Sequence, residues 1–252
     1  MFEDDLDEPG IIEAKLLHDP QPVAPIAVLC FFNDLLRSLV ERGLLTRRYT
    51  LRSEIGSNHV YEVDIDSRRV CVLHLGVGSP LAVGFTEEAA ALGITTFVAC
   101  GGAGALDARF DLGHVMVVES ALRDEGTSSH YARPTRFIRA QRLGAEIAHH
   151  VLDDLGIEHF TGRVWTTDAM FRETRSRVQR RIDDGCHMVD MEASALMALA
   201  QYRHLRLAHV LYAGDMVAGE EWDSRHWDHA ETIRESLFWA AARVALALHD
   251  AP

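Results

Sequence analysis

The sequence predicts an α/β domain with a largely parallel central sheet covered by helices on both faces. Three observations predict it. From Val70 onward, short β-rich runs alternate with longer helical patterns. Small or acidic residues stand where the runs end and helices begin. The chain has 252 residues, 48% of them apolar and 25% charged, enough to build one large core. No Pro/Gly/Ser-rich linker, low-complexity tract or repeat interrupts it, so a single domain over residues 1–252 is expected. Residues 1–20 carry seven acids and one lysine and read as a partly loose N-terminal segment.

In chain order, strands are expected over Val70–Val77, Thr95–Cys100, His114–Glu119, Gly162–Thr167, His187–Met191 and Ala208–Ala213. Helices are expected over Leu81–Leu92, Phe137–Leu155, Arg172–Asp183, Glu192–Tyr202 and His226–Leu248. In sheets of this kind the chemistry gathers at the loops leaving the carboxyl ends of strands. That points to residues 76–79, 101–104, 166–172, 190–192 and 214–221.

Composition narrows the partners. A net charge of −13 repels phosphate backbones and anionic lipid headgroups, which argues against nucleic-acid polymers and membrane surfaces. An anionic small molecule would need a locally arranged pocket. The acidic N-terminus has neither the basic nor the apolar region of a signal peptide. Val23–Phe32, the longest early apolar stretch, is about half the ~20 residues a bilayer span requires. A cytoplasmic protein is expected. Cys30, Cys71, Cys100 and Cys186 are widely spaced with no CxxC pair, and three lie in apolar runs, where they read as small buried hydrophobes. His149-His150 and the His226/His229 pair match no zinc spacing, so no metal site is expected.

Gly76-Val-Gly78-Ser-Pro ends a strand and opens a helix, so its amides can face an anion or simply make a tight turn. It is not a dinucleotide fingerprint, because Leu81 stands where the third glycine belongs. Gly101-Gly102-Ala103-Gly104 follows another strand. Side chains this small admit either a ligand or a closely packed helix. In Val189-Asp190-Met191-Glu192, two acids flank the end of a strand at spacing two, which sends both to one face. One of them can serve the following helix dipole; a carboxylate there can also grip a sugar diol. Asp215, after an apolar strand and Gly214, suits a general acid or base, or a helix cap. The stretch from Glu220 to Trp227 mixes aromatics with charges and reads as a lid or a helix entry. Neither a GxSxG elbow nor a P-loop is present.

Taken together these pieces resemble the nucleoside phosphorylase superfamily, which contains uridine phosphorylase, hexameric purine nucleoside phosphorylase and methylthioadenosine nucleosidase. The matching runs are GVGSP (76–80), ALGITTFV (91–98), GGAGALD (101–107), LGHVMVVESALRDEGTSSHY (112–131), TTDAMFRET (167–174), VDMEASAL (189–196) and AGD (213–215), in the family's order over roughly 150 residues. The resemblance implies a three-layer α/β/α fold with a mixed, largely parallel sheet, assembled as a homo-oligomer. It also implies cleavage of the N-glycosidic bond of a nucleoside, without an organic cofactor and with inorganic phosphate as co-substrate. Met191 and Glu192 would then contact the ribose, Phe171, Met170 and Gly104 would lie against the base, and Asp215 would protonate a purine as the bond breaks.

The match is incomplete at the phosphate end. The family's early GDPxR motif is missing, Ala99 stands where a second arginine would fall, and Gly102 replaces a hydroxyl residue. What is left for an anion is the backbone around Gly78 and Gly102, with Arg123 or Arg52 as the cation. Water as acceptor is the alternative, with Glu13 and Glu54 as candidate catalytic glutamates; a non-catalytic nucleoside binder is the second. Arg172-Glu-Thr-Arg after Phe171 lacks the glutamine–arginine pair that reads uracil, which with Asp215 favours a purine.

Overall fold

The computed structural model describes residues 6–252. Ten strands form one mixed sheet: β1 (Ile26–Cys30), β2 (Thr46–Ser53), β3 (Gly56–Ile65), β4 (Arg68–Leu73), β5 (Thr96–Ala105), β6 (Val115–Asp124), β7 (Phe137–Arg139), β8 (His159–Thr167), β9 (Cys186–Asp190) and β10 (Arg206–Met216). Six helices cover it: α1 (Asn33–Glu41), α2 (Ser79–Ala91), α3 (Arg142–Asp154), α4 (Arg175–Asp183), α5 (Ala193–Tyr202) and α6 (Glu231–Asp250). Two large apolar clusters lie on opposite faces of the sheet, one including residues of α2 and α5, the other residues of α1, α3 and α6. That is the layering expected of an α/β/α fold. Among the described residues no helix is long and apolar enough to cross a membrane.

The sheet closes partly on itself. β5 pairs with β10 through Ala103, then with β9 through Gly104 and Ala105, while β10, β6, β8 and β9 pair in turn. Five strands therefore form a ring, and β1, β4, β3 and β2 extend it as a wing. The pairings of β1 with β4 and β5, β5 with β10, β6 with β8 and β8 with β9 are parallel. Those of the wing hairpins, and of β10–β6, β5–β9 and β6–β7, are antiparallel.

Several element boundaries differ from the sequence expectation. The glycine run 101–104 is not a loop but lies within β5. Without side chains there, β5 passes against Phe31 and Tyr212 as it changes partners. The expected helix from Phe137 starts only at Arg142, because Phe137-Ile-Arg alternates and pairs with β6, with Ile138 turned inward. The expected helix from Arg172 is broken at Glu173–Thr174, where a short 3-10 turn (Met170–Arg172) precedes α4. The helix expected from His226 begins at Glu231. The strand expected over Val70–Val77 is β4, which ends at Leu73, while β1, β2, β3 and α1, all before Val70, carry no expectation from the sequence alone. The acidic segment is partly anchored: His18 bonds Glu88 at 2.9 Å and the Gln21 amide bonds the Leu92 carbonyl at 2.9 Å. Residues 1–5 of that segment lie outside the described residues.

Candidate active site

β9 runs into α5 through Asp190-Met191-Glu192, and the two acids divide the work. Asp190 accepts the Thr166 hydroxyl at 2.7 Å and the amides of Glu192 and Ala193 at 3.2 and 2.7 Å. It therefore satisfies orphan donors at the start of α5, the role the sequence left open for either acid. Glu192 is thereby left for other work. Its Oε1 accepts the Gly78 amide at 2.6 Å and its Oε2 the Met191 amide at 3.3 Å. The Ser79 hydroxyl donates to the Met191 carbonyl at 2.7 Å, so the Gly76–Ser79 turn and the acidic turn are locked together.

Both carboxyls are buried, Asp190 at 6% and Glu192 at 8% exposure. Burial pushes both upward from the ordinary carboxylate range, and in Glu192 the neighbouring Asp190 charge adds to it. Three donors oppose that rise at Asp190, which makes it the more readily ionised of the two.

Gly76 and Gly78 both have positive φ, 74° and 99°. A side chain at Gly76 would fall 2.2 Å from Leu81, the residue that breaks the dinucleotide pattern, so this turn is shaped by packing on α2.

Asp215 owes its position to an irregularity in β10. Ala213 pairs with Ala103 but Met216 with Ala105, so one extra residue is accommodated at Gly214–Asp215. A bulge of this kind re-aims a side chain. Asp215 Oδ2 accepts the Trp222 indole N–H at 2.7 Å, and Oδ1 lies 3.5 Å from where a Gly104 side chain would begin. The same point on Gly104 is 2.9 Å from Val189, the residue before Asp190. β5, β9 and β10 thus bring Gly104 and Asp215 to the strand end that carries Glu192, and Glu192 brings in Gly78.

Glu173 joins this end of the site, although the sequence reading passed over it. It is half-buried, and burial together with the Asp215 charge pushes its carboxyl up to about 7. The only signal in the sequence was its place within TTDAMFRET. The preceding Met170 and Phe171 are 46% and 93% exposed. Both lie in the 3-10 turn just before Glu173, turned largely to solvent rather than packed in the core.

At the expected phosphate end the residues separate. Arg123 does not face Gly78 as a free cation: it donates to the Ser128 hydroxyl at 2.8 Å and to the carbonyls of Arg133 and Ala132 at 2.6 and 3.2 Å. It clamps its own loop. Arg52 is exposed near the tip of the β2–β3 hairpin, with no hydrogen bond or ion pair to another described side chain. Ala99 is fully buried between β1 and β10. The missing hydroxyl at Gly102 has a physical reason, since a side chain there would sit 3.1–3.2 Å from the ring of Tyr212. Tyr212 is in turn held by Arg234, whose guanidinium donates to its hydroxyl at 3.2 Å and to Asp34 at 2.6 Å. Among the described residues no cluster of His, Cys, Asp or Glu is arranged to hold a metal, and the four cysteines are free and buried.

The family model of the phosphorylase superfamily matches residues 25–250. The chain belongs to the phosphorylase superfamily. This superfamily member is 28% identical over 210 residues to a guanosine phosphorylase of Halorubrum lacusprofundi, covering 81% of this chain and 78% of that one. It is 25% identical over 169 residues to a DeoD-type purine nucleoside phosphorylase of Limosilactobacillus reuteri, covering 64% and 69%. Its fold is similar to that of uridine phosphorylase from Vibrio fischeri, with a TM-score of 0.73, 24% identity and coverage of 92% and 96%. It is likewise similar to purine nucleoside phosphorylase from Toxoplasma gondii, with a TM-score of 0.72, 19% identity and coverage of 91% and 98%.

Proposed function

We propose that the protein cleaves the N-glycosidic bond of a purine nucleoside, with inorganic phosphate as acceptor, releasing the free base and a pentose 1-phosphate. The reading is supported by Glu192 and Asp215 lying toward one end of the sheet, around Gly104 and Val189, and it assigns the first to the sugar diol and the second to protonation of the base. The oxocarbenium-like transition state needs both, one to hold the sugar and one to make the base a better leaving group. The names of the Halorubrum and Limosilactobacillus relatives support a purine. On this reading the reaction needs no metal or organic cofactor.

Phosphate must find its cations elsewhere than at Arg123. Beside the Gly76–Gly78 turn, α1 and β3 enclose a cleft of about 290 Å³ whose lining includes Arg37, His59 and His74, with Glu41 as its one carboxylate. The Gly76 amide donates to His74 Nδ1 at 3.1 Å, which ties the cleft to the glycine turn. The exposed Arg37 side chain makes no hydrogen bond or ion pair with another described residue, so an anion there would be its first partner. Ribose 1-phosphate formed in proportion to added phosphate is the expected result with a purine nucleoside. Arg37→Ala should raise the KM for phosphate by ~10-fold, the worth of one charge-assisted contact. Free ribose at a rate indifferent to phosphate would assign the reaction to water instead. Saturable binding without base release would make the protein a nucleoside binder.

We also expect a homo-oligomer acting in the cytoplasm. Ile11, Ile12, Ile55 and Phe171 are large apolar side chains more than half exposed, and a second subunit is one means of covering them. Sedimentation showing only a 28.1 kDa species at working concentration would overturn the oligomer.

A further inference from the structure

We propose that His74 is a positioning residue for the sugar-gripping carboxylate: its imidazole braces the turn between β4 and α2 so that the Gly78 amide stays on Glu192. The inference rests on the purine-cleavage reading above and adds to it a residue that acts through Glu192, away from the reacting atoms.

The contacts form one continuous path. His74 directly follows β4, and its carbonyl accepts the side-chain amide of Asn58, from β3, at 2.7 Å. Its Nδ1 accepts the amide of Gly76, two residues along, at 3.1 Å. Leu75, between them, is fully buried. Two residues further on, the Gly78 amide donates to Glu192 at 2.6 Å, and next to it the Ser79 hydroxyl donates to the Met191 carbonyl at 2.7 Å. The turn is therefore pinned at its start by His74 and Asn58, and at its end by Met191 and Glu192. The other donor to Glu192 is the adjacent Met191 amide at the longer 3.3 Å, so the Gly78 bond is the one that aims the carboxylate.

The brace matters because of what lies between the pins. Gly76 and Gly78 hold φ of 74° and 99°, and glycine reaches many other conformations at small cost. Val77, between them, is 61% exposed and adds little packing. With no acceptor on its amide, Gly76 rotates more freely, and the aim of the Gly78 amide is lost with it. An acceptor at Nδ1 requires a neutral ring with its proton on Nε2, on the side where the Phe31 carbonyl accepts it as a hydrogen bond. Half-burial favours that neutral form by lowering the imidazole from its ordinary value.

The test is a double-mutant cycle on kcat/KM for guanosine. His74→Ala should cost ~10-fold in the wild-type background, the worth of one hydrogen bond. In the Glu192→Gln background it should cost less than ~2-fold more, because the group it positions is already impaired. His74→Asn carries an oxygen where Nδ1 stood and should recover most of the loss. His74→Gln, whose amide lies one bond further out, should not. With 2′,3′-dideoxyguanosine, which lacks the gripped hydroxyls, wild type and His74→Ala should run alike. Fully additive losses in the cycle, or equal losses on the two nucleosides, would make His74 an independent contributor and overturn the proposal. A loss confined to the KM for phosphate would make it an acceptor ligand and overturn it too.

A second measurement needs no substrate. Hydrogen exchange of the Gly78 amide should quicken ~10-fold in His74→Ala and return toward wild type in His74→Asn. Unchanged exchange in His74→Ala overturns the brace. Failure of wild type to cleave any purine nucleoside would overturn the functional reading instead, and the exchange rates would still decide whether His74 holds the turn.

Discussion

Asp215→Asn is expected to slow guanosine cleavage by ~10²–10⁴-fold, the usual worth of a general acid. The same substitution should leave 7-methylguanosine cleavage within a few-fold of wild type. The amide keeps the size of the carboxyl and can still accept the Trp222 indole proton that Asp215 accepts at 2.7 Å. The bulge at Gly214–Asp215 is a property of backbone pairing with Ala103 and Ala105, and does not depend on the side chain. What the amide lacks is a proton to give. The departing purine would then leave as an anion, and the barrier rises by the cost of that charge in a half-buried site. A substrate whose base is already cationic avoids this cost, which separates loss of the acid from loss of structure. Equal slowing on both substrates would remove Asp215 from the proton-transfer step.

Glu192→Gln should lower turnover of a ribonucleoside by ~10²-fold, equivalent to about 2.7 kcal/mol of transition-state binding. The reason lies in the donors already facing this carboxylate. Gly78 and Met191 each present an amide N–H, at 2.6 and 3.3 Å. A glutamine has only one oxygen, so its amide nitrogen must turn toward one of these donors or toward the sugar. Either arrangement sets donor against donor, or holds the diol with a group that cannot ionise as the sugar becomes cationic. The fold should persist, because Asp190, not Glu192, accepts the first amides of α5. A substrate without the 2′- and 3′-hydroxyls should be slow with both proteins and show little further loss in the variant. A near-normal rate for Glu192→Gln on the ribonucleoside would take this residue out of the mechanism.

These expectations depend on features of unequal visibility. From Val70 onward, alternating short and long periodic runs contain enough local information to place the strands and the layered α/β class, because side-chain period reports which face each element buries. Asp190-Met191-Glu192 and Asp215 stand out for the same local reason, as acids at the ends of apolar strands. A glycine run carries no such local report. Gly101–Gly104 reads as a loop until β1, β9 and β10 surround it, and then it is a strand stripped of side chains so that Phe31, Tyr212 and Val217 can approach. Arg123 reads as a free cation until its own loop folds back and places oxygen acceptors of Ser128, Ala132, Arg133 and Thr135 around it. Glu173 is one more charge in a helix entry until the fold half-buries it and burial raises its carboxyl to about 7. Periodicity and strand-end chemistry are properties of neighbours in the chain, so the sequence alone determined the fold class and singled out Asp190, Glu192 and Asp215. Which acid caps α5, where β10 bulges and which cations stay unpaired depend on groups brought together from up to some two hundred positions apart, as Arg234 and Asp34 are, and only the tertiary structure decided them.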